Sequence, residues 1–175
     1  MKVADIALWR EFVIPLLTIV ASGLVASIVT FKLNARLQRR DLLRIKLEDA
    51  YAASHEFCNG LGIHFLKYLR VFTGEIDINQ ANELTTKNMA TSDTTWYRRL
   101  EMLVRIYVPT AEAGFAEVLE VRDRMNALVE SYRQRYLRGE TSAPDLVRSL
   151  GQDLRSLDQL EERLKNAISA EARKL

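Results

Sequence analysis

The side chains able to do chemistry are few. The chain has two histidines, His55 and His64, and one cysteine, Cys58. His55 and Cys58 stand one helical turn apart and could share a metal ion. His64 comes nine residues after His55, on the opposite side of an unbroken helix. The three would converge only if the helix broke at Gly60, and two ligands do not make a structural zinc site. His55-Glu56 begins like the HExxH zinc motif, but Asn59 stands where the second histidine belongs. The favoured reading is two ordinary histidines and a small core cysteine, with no metal and no cofactor.

Paired acids and phosphate loops give the same result. Glu161 and Glu162 are adjacent, so on a helix they point apart. There is no ExxH pair for a di-iron site. Neither GxGxxG nor GxxxxGK occurs. No catalytic residue is assigned, and the chain reads as non-enzymatic. A single cysteine excludes a disulfide within one chain and suits a reducing cytoplasm.

Cations are more informative. Lys32, Arg36, Arg39, Arg40 and Arg44 follow directly on an uncharged stretch. Near an anionic leaflet each is worth about 1 kcal/mol, so anionic lipid headgroups are the favoured contact and a plain topology signal the alternative. Tyr132, Arg133, Arg135, Tyr136 and Arg138 form a second basic-aromatic group. Its simpler reading is cations at a helix C-terminus, with Gly139 as the cap. A formal charge of +2 argues against nucleic acid as a partner.

Those cations are positioned by the stretch before them. Phe12 to Phe31 is twenty residues long and carries no charge. At about 1.5 Å per residue it spans the roughly 30 Å core of a bilayer. Pro15 falls in the first turn, where a missing N–H costs little. Trp9 and Phe12 suit one interface, Phe31 and Lys32 the other. A cleaved signal peptide has a shorter apolar core, and Ala21-Ser22-Gly23 only imitates its cleavage site, since the apolar run continues to Phe31. Two Lys/Arg precede the segment and six follow it within fifteen residues. The positive-inside rule then places the N-terminus outside and the rest in the cytoplasm, at a plasma (bacterial inner) membrane. On the apolar helix, Thr18, Ser22, Ala26 and Thr30 recur every fourth residue beside Gly23 and Ser27. Small residues let two such helices approach closely, which favours a homo-oligomer; ordinary membrane-helix composition is the rival reading.

Beyond the membrane the periodicity is helical throughout. Leu43, Leu47, Ala50, Ser54, Phe57, Leu61, Phe65, Tyr68 and Phe72 mark one face of a helix that Asn59-Gly60 either stops or weakens. A weaker helix over 79–90 follows. Ser92 and Asp93 are good N-caps for the next, marked by Trp96, Leu100, Leu103, Val104 and Tyr107 and ended by Pro109. Phe115 to Tyr136 marks another. Ser142-Ala143-Pro144-Asp145 reads as a capping-box start for the last, whose apolar face runs from Val147 to Ile168. No stretch alternates with period two.

The expectation is an all-α protein. Residues 1–11 form a short extracytoplasmic N-terminus, 12–31 a transmembrane helix and 32–46 a basic juxtamembrane helix. Residues 47–175 form a cytoplasmic domain, a bundle of four to five helices ending in a long, coiled-coil-like antiparallel hairpin. The expected function is a single-pass membrane protein with a cytoplasmic interaction or sensing domain for a protein partner. The alternative is an oligomerising membrane effector of toxin or antiphage type that perturbs the bilayer.

Overall fold

The computed structural model describes residues 14–89 and 95–175. Trp9, Phe12, the N-terminal charges and the caps Ser92 and Asp93 lie outside them, as does the side chain of Thr18. The described residues are helical, with no strand among them. Five α-helices follow one another: α1 (Ile14–Phe72), α2 (Ile78–Met89), α3 (Thr95–Tyr107), α4 (Glu112–Leu137) and α5 (Pro144–Ala172). A short 3-10 turn, Pro109–Ala111, joins α3 to α4 where proline interrupts regular bonding.

The chain divides into two compact units, Met1–Leu43 and Arg44–Leu175. The first holds the N-terminal part of α1. Among the described residues one helix, α1, is long enough and, near the N-terminus, apolar enough to cross a membrane. Among its described apolar side chains, Leu17, Leu24, Val25, Ile28 and Phe31 are exposed.

The second unit has its own core. Around one end, Phe65, Tyr68 and Phe72 of α1 meet Val118, Met125 and Tyr132 of α4 and Leu150 and Leu157 of α5. Around the other, Leu47 and Ala50 of α1 meet Leu100, Leu103 and Val104 of α3 and Leu164 and Ile168 of α5. Alanines at the second contact let helices approach closely. The ion pairs Glu117–Arg163, Arg124–Asp153 and Arg135–Asp145 tie α4 to α5 in opposite chain order.

Asn59, Gly60 and Gly62 do not stop α1. Each glycine costs a helix about 1 kcal/mol, but buried Cys58, Phe65 and Tyr68 on either side need the helical register to reach the core. The break comes at Gly74 instead. Its φ of +78° suits only glycine, and a Cβ there would stand 3.1 Å from the Thr141 carbonyl.

The capping box expected at Ser142 does not form. No side chain caps the start of α5. The Ser142 hydroxyl donates to the Phe72 carbonyl at 3.3 Å, and the Ala143 N–H donates to the same oxygen at 2.8 Å. The open end of α1 captures these donors, because its last carbonyls have no partner within the helix. A box does form at α2. The Asp77 carboxylate accepts from the N–H groups of Asn79 and Gln80, and the Gln80 side chain accepts from the Asp77 N–H.

Candidate functional site

In the first unit, Lys32, Arg36, Arg39 and Arg40 are exposed along α1. Arg44, on the second unit, is exposed too but already paired, its Nε 3.0 Å from Glu48 Oε1. Of the five basic residues singled out, Arg44 thus has its charge partly answered within the chain.

The small residues of the apolar segment stand at the surface. Ser22, Gly23, Ala26 and Ser27 are exposed. A Cβ added at Gly23 would meet nothing within 4 Å. Ala21, Ser22, Val25, Ala26, Val29 and Thr30 line a shallow open groove along the helix. Ser22 and Ala26 lie in that groove, while Gly23 and Ser27 lie on the neighbouring face. Nothing in the chain's own fold explains a small side chain at position 23.

The second unit gathers polar groups where α1 meets α5. His55 Nδ1 is 2.8 Å from Glu161 Oε1, and Lys165 Nζ is 2.5 Å from the same oxygen. Lys165 also lies 5.5 Å from the centroid of the Tyr51 ring. Glu161 and Lys165 are largely covered, whereas His55 is exposed on one side. Burial would push the Glu161 carboxyl up, but hydrogen bonds from Lys165 and His55 outweigh it and hold the carboxyl below its ordinary value. The Lys165 ammonium is held up by the hydrogen bond to Glu161. Ser54, the one buried polar residue among the described residues, donates to the Tyr51 carbonyl at 2.7 Å.

This cluster does not activate the cysteine. Cys58 is 2% exposed. Burial first, and the Glu161 charge second, push its thiol up to about 12. A thiol held there carries almost no thiolate at neutral pH, and the thiolate is the nucleophile. Among the described residues no group of three or more His, Cys, Asp or Glu could hold a metal ion.

The basic-aromatic group near the end of α4 is drawn into internal contacts. Tyr132 is buried, and its hydroxyl donates to the Thr141 carbonyl at 3.1 Å. Arg135 donates two hydrogen bonds of 2.8 Å to the Asp145 carboxylate, bracing the α4–α5 turn. That contact holds the Asp145 carboxyl below its ordinary value. Gly139, with φ +89°, ends α4 in the left-handed conformation.

Sequence reasoning weighed Glu161 only as half of an adjacent acid pair and missed Lys165. Their spacing of four on one helix face was a readable signal for an ion pair. The partner on α1, His55, is 106 residues away from Glu161 and has no local signal.

The chain matches no family model, no curated protein and no solved structure.

Proposed function

We propose that this chain is a non-enzymatic, single-pass membrane protein, N-terminus outside, whose cytoplasmic helical bundle recruits a protein partner at the inner face of the membrane. One observation carries the reading: an uncharged helix whose apolar side chains are exposed and which leads directly into a run of cations. In water each large side chain left exposed forgoes about 1.5–3 kcal/mol of burial. A bilayer removes that cost, and anionic headgroups then meet Lys32, Arg36, Arg39 and Arg40. Reporter fusions at Leu175 test the topology. A cytoplasm-dependent reporter is expected to be active there and a periplasm-dependent one silent; the reverse result overturns the orientation.

The exposed small residues Ser22, Gly23, Ala26 and Ser27 favour a second reading, an oligomerising membrane effector. In lipid, close packing rather than hydrophobicity holds helices together. Gly23→Ile is expected to leave insertion intact and to weaken self-association in a crosslinking assay, while Leu17→Ile leaves both unchanged. Wild-type association by Gly23→Ile removes the support for this reading.

A further inference from the structure

Tyr68 and Tyr132 are the two tyrosines fully inside the second unit, 4% and 1% exposed. Tyr132 gives its hydroxyl to the Thr141 carbonyl. Tyr68 does not match it: among the described residues its hydroxyl has no hydrogen-bond partner, and its ring meets His64, Phe65, Phe72 and the Lys67 ammonium. Leaving a phenol unpaired in a dry core costs about 1–3 kcal/mol. Among the described residues no buried side-chain oxygen is left in that state. The Tyr68 hydroxyl therefore reaches open space, and the space it borders is a cleft of about 400 Å³ between α1, α2 and α4.

The other walls of the cleft are suited to hydrogen bonding. His64 is half-buried, its ring set edge-on to Phe65 at 4.9 Å and 87°. Burial, and secondarily the Lys67 charge, lower its pKa and keep the imidazole neutral. Neither His64 nor Asn126 has a hydrogen-bond partner among the described residues. At the rim Glu130 and Arg133 pair loosely with each other at 3.5 Å. His64, Tyr68 and Asn126 thus offer neutral hydrogen-bonding groups, while the Glu130 and Arg133 charges beside them answer each other. A volume of this size sits at the lower end of the roughly 300–1,000 Å³ of small-molecule sites.

We propose that this cleft binds a small uncharged heteroaromatic molecule of the nucleobase or nucleoside class, its ring against His64 and Phe65 and its hydrogen-bonding edge on the Tyr68 hydroxyl and the Asn126 carboxamide. An asparagine carboxamide presents a donor and an acceptor side by side, which matches the paired edge of a base such as adenine. A phenol and a neutral imidazole each donate or accept, so both adapt to the same edge. The proposal gives the sensing role a ligand class, and it does not depend on how the chain meets the membrane.

The test uses the full-length protein in lipid nanodiscs. Adenosine, guanosine, cytidine and uridine are titrated by saturation-transfer NMR, with glycine and glutamine as zwitterionic controls. At least one nucleoside is expected to bind with Kd below about 1 mM, a modest affinity for a small site. Tyr68→Phe and Asn126→Ala are each expected to weaken it about five- to tenfold, the effect of one hydrogen bond. Asn166→Ala, on the exposed side of α5, is expected to change nothing. The exposed Asn126 side chain keeps the test decisive if Tyr68→Phe disturbs the core. The proposal fails if no nucleoside binds below 1 mM, if only the amino acids bind, or if binding ignores both substitutions.

Discussion

The two parts of α1 make a natural comparison. Between Leu17 and Phe31 the helix carries no charge, and its described apolar side chains, Leu17, Val20, Leu24, Val25, Ile28, Val29 and Phe31, are exposed. From Leu47 to Phe72 it is apolar on one side, and that side is covered by α3, α4 and α5. Both satisfy their backbone by the same internal hydrogen bonds. They differ in what removes their side chains from water: protein in one case, lipid in the proposed reading of the other. Helix formation is thus indifferent to the surrounding medium, while side-chain pattern selects it.

The largest expected effect separates the two parts directly. Phe65 is 1% exposed. Phe65→Ala is expected to destabilise the second unit by about 3–5 kcal/mol, followed by helix loss in denaturant on the full-length protein in detergent. Leu24→Ala, on the exposed apolar part, is expected to leave that transition in place. Equal losses would erase the distinction between a packed face and an unpacked one.

A charge probes the other side of the comparison. Leu24→Arg places a cation near the middle of the apolar run, at a cost to insertion of about 2.5–3.5 kcal/mol. Alkaline extraction of membranes is expected to release a larger fraction of this variant than of wild type. Release of wild type and variant in equal amounts would mean that lipid does not cover this segment.

The smallest effect is pH-dependent and belongs to the second unit alone. Glu161 titrates below its ordinary value of 4.5 in the fold. A depressed carboxyl contributes stability that is complete above its unfolded value and lost as pH falls through the folded one. At neutral pH, Glu161→Gln is expected to lower the thermal midpoint by about 2–4 °C, the size of one lost hydrogen bond in a chain of this length. As pH falls through the lowered folded value, the variant and wild type are expected to converge, since both then present an uncharged side chain. A gap that persists unchanged at low pH would show that the Glu161 charge contributes nothing to the α1–α5 contact.

Much of the helical plan was legible from spacing. Buried Leu47, Ala50, Phe65, Tyr68 and Phe72 all lie on the face that three- and four-residue steps mark out. Leu150, Leu157, Leu160, Leu164 and Ile168 do the same on α5. Caps were read less well. Asp77 and Gln80 carried a box signal that went unread, while Ser142 carried one that tertiary contact overrode. Ser142 could cap α5 or bond the end of α1, and local sequence does not rank the two. The site residues fared similarly. His55, Cys58 and Glu161 drew notice by type, but the contact of His55 with Glu161 and Lys165 emerged only once α5 lay against α1. Tyr68 read simply as core, and its unpartnered hydroxyl became visible only beside the bonded Tyr132.

Composition and periodicity alone determined the helical class, the long uncharged segment and the cations that follow it, because each depends on residues within a few turns of one another. Tertiary structure alone decided that α1 runs through Asn59-Gly60, that the Cys58 thiol stays protonated, and that a cleft opens between α1, α2 and α4. These rest on burial and on side chains brought together from distant helices. No local spacing encodes how much water remains at a point where three helices meet.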